Sequence, residues 1–120
     1  FHSTIFKIIF LAPPEWLKEP INAVGKEGER LVLECQARGV PQPTITWTTD
    51  GKNSPVSNDA GSQIRVLPTG SLIISSLDSS MQGQYTCVAD NGLGDSLKKQ
   101  ISISVRGEFL KHSLLVAFHD

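Results

Sequence analysis

Histidine is missing from residues 13–106, because the three histidines of this 120-residue chain are His2, His112 and His119. A serine or cysteine nucleophile needs a base within hydrogen-bond reach, and this long stretch offers no imidazole to act as one. It also shows no paired carboxylates and no glycine-rich loop of the kind that binds phosphate. We therefore expect no catalytic residues, no enzyme activity and no cofactor.

An excess of charge of either sign is also missing. Eleven basic residues stand against twelve acidic ones, which gives a formal net charge of −1. Proteins that bind nucleic acid or an anionic membrane usually carry a basic patch. The only adjacent basic pair, Lys98-Lys99, is more typical of an edge strand whose charges discourage aggregation than of a phosphate site. We therefore expect no nucleic acid among the partners and no direct membrane insertion by this domain.

Apolar runs long enough to cross a bilayer are absent as well. The two apolar runs, residues 5–12 and 114–118, both fall short of the roughly 20 residues that a spanning helix needs. Three origins of the first run stay open: the end of a signal peptide, a segment of a neighbouring domain, or an artefact of gene assignment. We place one domain at residues 13–106 and assign no function to the apolar N-terminal tail (1–12) or to the C-terminal tail (107–120).

Cysteine is scarce, since Cys35 and Cys87 are the only two. Zinc needs about four ligands, usually in close pairs, and no histidine lies near either cysteine in the sequence. Two distant cysteines instead favour one long-range disulfide, which requires an oxidising compartment. The alternative is a reduced cytosolic domain with two buried thiols. Asp90 and Asp95 are interpreted as turn-stabilising residues, because calcium needs six or more oxygen ligands, so we expect no metal.

Polar and apolar residues alternate with a period of two in several stretches, which is the period of a β-strand. These stretches are residues 31–37, 44–48, 72–74, 85–89 and 101–105. Asn91-Gly92 is a hairpin signal between the last two. Pro20 cannot donate a backbone hydrogen bond, so we expect it to split the first strand into two edge segments. The only helical element expected is a short turn near residues 77–82.

The spacing of four residues indicates how these strands pack. Twelve positions separate Cys35 from Trp47 and forty more lead to Cys87, with Tyr85 two positions before it. In an immunoglobulin sandwich the two cysteines lie on facing strands, the tryptophan packs against their bridge, and the tyrosine closes the corner before the second cysteine. We therefore predict an all-β, immunoglobulin-like β-sandwich of two antiparallel sheets with one inter-sheet disulfide. Its core is predicted to include Trp47, Tyr85 and Leu72.

Several motifs resemble those of the intermediate-set (I-set) immunoglobulin domain, over about residues 13–106. They are Gly39-x-Pro41-x-Pro43-x-Ile45-x-Trp47, Gly70-Ser71-Leu72-x-Ile74 and Gly83-x-Tyr85-x-Cys87-x-Ala89-x-Asn91-x-x-Gly94. Two more motifs are similar to the Down syndrome cell adhesion molecule family. They are Pro13-Pro14-x-Trp16-x-x-Glu19-Pro20 and Cys87-x-Ala89-x-Asn91-Gly92-x-Gly94.

This resemblance implies a cell-adhesion domain that binds other cell-surface immunoglobulin receptors, or itself, in neuronal recognition and axon guidance. It also implies tandem domains in a type I membrane protein, with this domain on the extracellular side of the plasma membrane. The alternative is a passive structural domain of a giant muscle protein or of an extracellular matrix protein. The fold alone does not decide between them, because immunoglobulin folds host many functions.

One position departs from the family pattern. The family usually has an aspartate two residues before the glycine at position 83, and that carboxylate commonly pairs with an arginine near the start of the fourth strand. Here the residue is Met81, and Arg65 is the arginine that would have been its partner. We predict that Met81 packs against the base of the sandwich and that Arg65 forms no ion pair with position 81.

The candidate interface residues are Trp16, Lys98, Gln100 and Thr46. Trp16 follows a double proline, and it either packs along the sandwich edge or anchors a receptor–receptor contact. The other three lie on outward rows of two strands in one predicted sheet, which gives a polar face. We expect this face, or the opposite one, to make a weak contact that repetition along the receptor strengthens. A passive spacer domain is the alternative.

Overall fold

The computed structural model describes residues 10–49, 54–56 and 61–107, so the two predicted tails lie almost wholly outside the described residues. The described part contains ten β-strands and one short 3-10 turn, at Ser79–Met81. The strands are β1 (Ala12–Lys18), β2 (Ala23–Lys26), β3 (Leu31–Leu33), β4 (Gln36–Val40), β5 (Thr44–Thr49), β6 (Ser54–Pro55), β7 (Ile64–Val66), β8 (Leu72–Ile74), β9 (Gly83–Asp90) and β10 (Leu97–Arg106).

These strands form two packed layers. One layer is a five-stranded sheet in the order β2-β10-β9-β5-β6. The other consists of the pair β1-β4 and the trio β3-β8-β7, which are continuous because β3 and β4 are consecutive segments separated only by Glu34 and Cys35. The prediction of an all-β sandwich is therefore confirmed.

One strand pair departs from the predicted antiparallel pattern. β2 runs parallel to β10, with Ala23 beside Ile103 and Lys26 beside Arg106, whereas every other pair in the described part is antiparallel. The change occurs at Pro20, which is buried and has no backbone N–H to donate to a ladder. The chain changes layers there, so that β1 pairs with β4 and β2 pairs with the last strand. The predicted split of the first strand is confirmed.

The core lies between the two layers, where inward side chains from both meet. Trp47 is 1% exposed and Leu72 is fully buried. Cys35 and Cys87 are also fully buried and are joined by a disulfide with an S–S distance of 2.04 Å. Cys35 stands between β3 and β4, and Cys87 lies in β9, so the bridge links the layers as predicted.

The corner before β9 closes through Tyr85 and Met81. The hydroxyl of Tyr85 donates a buried hydrogen bond to the carbonyl oxygen of Met81, at 2.7 Å. Met81 is 8% exposed and belongs to the core cluster, so its predicted packing is confirmed. Arg65 takes part in none of the ion pairs among the described residues. The corner is therefore stabilised by apolar packing and a hydrogen bond, without a carboxylate at position 81.

The hairpin predicted from Asn91-Gly92 is present between β9 and β10, and its connection is six residues long. The two strands form an antiparallel hairpin, but β9 ends at Asp90 and β10 begins at Leu97, which leaves residues 91–96 between them. Gly92 and Gly94 both have positive φ, of 78° and 62°. In this connection the Asn91 side chain contacts the first residue of β1, Ala12, and Pro41 in the loop between β4 and β5.

Candidate functional site

Three of the four predicted interface residues lie on one surface, the outward side of strands β5, β9 and β10. Thr46 is opposite Val88, which is opposite Lys98, and Thr48, Thr86 and Gln100 form the next row. Directly opposed residues on antiparallel strands point to the same side of a sheet. We call this surface the β5–β9–β10 face. The name is used for the part of this surface formed by Thr44, Thr46, Thr48, Thr86, Val88, Asp90, Lys98 and Gln100. The same side of β10 continues beyond it through Ser102 and Ser104 to Arg106.

The rim residues of this face are available for binding. Thr46, Lys98 and Gln100 are exposed, while Thr86 and Val88 are half-buried and form the floor of the face. Within the described part of the chain, the side chains of Thr46, Lys98 and Gln100 take part in no hydrogen bond or ion pair. A partner could therefore bind them without breaking an internal contact.

The two adjacent lysines play different roles. Lys99 Nζ lies 2.9 Å from Glu19 Oε2 and ties β10 to the segment that joins β1 and β2. Lys98 points to the other side of the sheet and remains without an ionic partner among the described residues. The interpretation of the pair as mere edge-strand charges therefore fits Lys99 poorly, since that residue makes a specific contact.

The opposite layer carries two ion pairs, both on the strands β1, β3 and β4 or next to them. Lys18 Nζ lies 3.1 Å from Glu34 Oε2, and Arg38 Nε donates to Glu15 Oε2 at 3.1 Å. Removing a charged group from water is costly, and interface centres are depleted in charged residues. The β5–β9–β10 face has only one cation and one anion, so of the two faces it is the better suited to a protein contact.

Trp16 is not part of this face. It lies on β1 in the other layer, opposite Ala37 of β4, and it is half-buried against the core cluster. This position corresponds to packing along the sandwich edge. The structure therefore divides the predicted interface set, because Trp16 lies apart from Lys98, Gln100 and Thr46.

Asn91 binds three chain segments together at the end of the face. Its amide nitrogen donates to the carbonyl oxygens of Ala12, at 2.8 Å, and Pro41, at 2.9 Å. Its Oδ1 accepts a hydrogen bond from the backbone of Leu93, at 3.1 Å. Sequence reasoning treated Asn91 as a turn residue and missed this role. The available signal was its fixed place in the motif that follows Cys87.

Replacing Asn91 tests this role. Asn91→Ala removes two side-chain donors, so we expect the free energy of unfolding to fall by about 2 kcal/mol. We expect Asn91→Asp to lower the free energy of unfolding further at neutral pH. A carboxylate only accepts hydrogen bonds, and here it would face two carbonyl oxygens. Urea denaturation of the three proteins measures both effects.

The control for this series is Asn22→Ala, which removes the single exposed hydrogen bond from Ser102 N to Asn22 Oδ1. We expect it to cost about 1 kcal/mol or less. If Asn91→Asp were as stable as the unmodified chain, the two donated hydrogen bonds would contribute nothing to the fold.

Other kinds of site are not formed by the residues that the structure describes. Within them, no group of three or more histidine, cysteine, aspartate or glutamate side chains could hold a metal ion. Asp90 Oδ1 instead accepts a hydrogen bond from Gly92 N at 3.0 Å, which stabilises the turn. No described helix has the length and apolar character required to cross a membrane.

Comparison with known proteins identifies the family. A profile described as "Immunoglobulin domain" matches residues 13–91. Peroxidasin of Drosophila melanogaster is 35% identical over 96 residues, covering 80% of this chain and 6% of that protein. The cell adhesion molecule Dscam2 of the same organism is 33% identical over 96 residues, covering 78% of this chain and 5% of that protein. This chain therefore corresponds to a small part of each of these relatives.

A solved structure agrees with the sequence matches. The eight N-terminal immunoglobulin domains of a Down syndrome cell adhesion molecule superpose with a TM-score of 0.70 and 32% identity, covering 80% of this chain and 13% of that one. The resemblance to this adhesion family is thus supported by both sequence and structure. The chain belongs to the immunoglobulin domain family.

Proposed function

We propose that this chain is a protein-binding domain of a cell-adhesion receptor and that it binds through the β5–β9–β10 face. The observation that carries the proposal is the contrast between the two faces of the sandwich. Lys98, Gln100 and Thr46 are exposed without internal side-chain partners among the described residues, whereas Lys18 and Arg38 on the β1-β4 side of the other layer each pair with a glutamate. The similarity to adhesion molecules supports the same function.

The proposal includes a place for the domain in a larger protein. We propose that residues 13–106 form the domain and that it lies on the extracellular side of the plasma membrane, in a type I receptor used in neuronal recognition and axon guidance. The extent is supported by the profile match from residue 13 and by the end of β10 at Arg106. The disulfide supports an oxidising compartment.

The size of the face predicts a weak contact. Three strands about 4.8 Å apart, each with about five residues at roughly 3.4 Å per residue, present only a few hundred Å². A standard stable interface needs about 800 Å² from each partner. A single contact of this kind is therefore short-lived, and several linked domains would strengthen it through effective concentration.

A bulky cation at position 46 of the face should abolish binding. Thr46→Arg places a guanidinium beside Val88 in the row that Lys98 also occupies. We expect cells that display the receptor with this variant to lose most of their aggregation, because the new charge would have to be desolvated in the contact. Flow cytometry of non-adherent cells measures the aggregated fraction at equal surface expression.

The matched control is Ser76→Arg, which introduces the same charge at an exposed position outside the face. We expect aggregation to stay at the level of the unmodified receptor. If Thr46→Arg cells aggregated as well as Ser76→Arg cells, the face would not be the binding surface, and the passive spacer interpretation would replace this proposal.

A further inference from the structure

We infer that the partner of the β5–β9–β10 face is a second copy of this chain, docked so that Lys98 of each copy meets Asp90 of the other. This inference rests on the function proposed above and specifies its partner. The face carries one cation and one anion, and neither belongs to an ion pair in the described part of the chain. A surface with one charge of each sign can be complementary to itself.

Strand register gives the placement of the two charges. Lys98 is directly opposite Val88, and Asp90 follows Val88 by two residues on the same side of β9. Diagonal neighbours of this kind have Cα atoms about 7–8 Å apart. Asp90 uses Oδ1 for the backbone of Gly92 and is exposed, so its second carboxylate oxygen can accept a bond from a partner.

A two-fold axis between two such faces creates two ion pairs. If the axis lies in the plane of contact, midway between Lys98 and Asp90 and perpendicular to the line that joins them, each lysine faces the aspartate of the second copy. Such an interface is isologous, which is the commonest arrangement of homodimers. Val88 lies beside the axis, so a half-buried apolar side chain occupies the middle of the contact.

The rest of the face is compatible with this arrangement. Apart from Lys98, Asp90 and Val88, the members of the face are threonines and Gln100, which are uncharged. Packing two copies face to face therefore brings no like charges together there. Lys99 points to the other side of the sheet, and the next described cations on the same side, Lys26 and Arg106, stand beside each other at the far end of β10. Arg106 is eight residues from Lys98, about 27 Å along an extended strand at roughly 3.4 Å per residue. A uniformly charged partner would repel one of the two central charges, whereas a second copy repels neither.

Charge reversal with cross-rescue tests the arrangement. In K98E dimers two glutamates would face two aspartates, and in D90K dimers two lysines would face two lysines. We expect each variant of the 120-residue chain alone to dimerise at least tenfold more weakly in sedimentation equilibrium. In an equimolar mixture of K98E and D90K, the mixed dimer has two ion pairs, one with the original polarity and one with the polarity reversed. The K98E/D90K double variant has two pairs with reversed polarity. Both should return to within about threefold of the unmodified chain.

Rescue also controls for damage to the fold, since D90K removes the turn hydrogen bond to Gly92. A mixture that dimerises no better than its components would overturn the inference, as would single variants that dimerise normally. A chain that stays monomeric up to about 1 mM, in a receptor whose adhesion Thr46→Arg still abolishes, would overturn self-recognition but leave the proposed function intact. If every variant kept both its dimerisation and its adhesion, the inference and the proposed function would both be overturned.

Discussion

Replacing both bridged cysteines, as Cys35→Ala with Cys87→Ala, is expected to lower the free energy of unfolding by about 4 kcal/mol. The bridge closes a loop with a sequence separation of 52 residues. In the chain-entropy description, a loop of this length restricts the unfolded chain by about 4 kcal/mol. Both sulfurs are fully buried, so their removal also leaves a small cavity in the core and adds to the loss.

The size of this effect matters because domains of this kind have little stability in reserve. A native domain is typically stable by about 5–15 kcal/mol, so losing 4 kcal/mol leaves a substantial unfolded fraction in a marginal case. Urea denaturation of the unmodified chain and the double variant measures the difference. Thiol titration of the unmodified chain under denaturing conditions should find no free thiol.

Reduction of the unmodified chain provides the control. It breaks the S–S bond and so opens the loop, but it leaves both sulfur atoms in the core. We expect the reduced chain to lose nearly as much stability as the double variant. A loss below about 1 kcal/mol in both cases would show that the hydrophobic core, rather than the bridge, determines the stability. The argument for an oxidising compartment depends instead on the thiol titration, and two free thiols would remove it.

The strands and the core could be predicted from the sequence because their signals are local. The alternation around Trp47 and Cys87 places side chains on one face of a strand by geometry alone. The spacing of Cys35, Trp47 and Cys87 adds the one long-range constraint that fixes how the layers meet. These signals were sufficient to predict the sandwich, the disulfide and the outward position of Thr46 relative to Trp47.

The features that sequence reasoning missed all depend on contacts between distant segments. The motif that follows Cys87 contains Asn91, but it does not indicate that the partners of the amide are the carbonyl oxygens of Ala12 and Pro41. Lys98 and Lys99 look alike as letters, yet only Lys99 reaches Glu19, 80 positions away. The parallel pairing of β2 with β10 likewise depends on where the chain goes after Pro20.

The choice between the two faces of the sandwich illustrates the same limit. Outward rows on both layers could be identified from alternation, and both contain polar residues. Only the structure shows that Lys18 and Arg38 already pair with carboxylates while Lys98 does not. The charge pattern that favours one face is therefore a property of the folded chain rather than of any single strand.

Among substitutions that add a single methyl group, Gly70→Ala is the one expected to lower the free energy of unfolding most. This residue has φ of +96°, a conformation that side chains with a Cβ rarely adopt. A Cβ added there would lie 2.5 Å from the carbonyl oxygen of Cys35 and 3.0 Å from Cγ1 of Ile45. The carbonyl oxygen of Gly70 also accepts a buried hydrogen bond from Nε1 of Trp47, at 2.9 Å.

We therefore expect Gly70→Ala to lower the free energy of unfolding by about 3–5 kcal/mol. Backbone strain contributes about 1 kcal/mol, the clash with fixed backbone atoms about 1–3 kcal/mol, and the disturbed indole hydrogen bond about 1 kcal/mol. The clash is severe because the Cys35 carbonyl belongs to the chain between β3 and β4, where the disulfide holds it in place. Urea denaturation measures the total loss.

The matched control is Gly28→Ala, because Gly28 has a similar φ of +88° but nothing within 4 Å of an added Cβ. It should cost only the backbone strain, about 1 kcal/mol. The difference between the two variants isolates the clash and the tryptophan hydrogen bond. If both variants lost the same amount, the segment around Gly70 would shift freely to accommodate the methyl group. The contact between Trp47 and Gly70 would then not be a fixed part of the core.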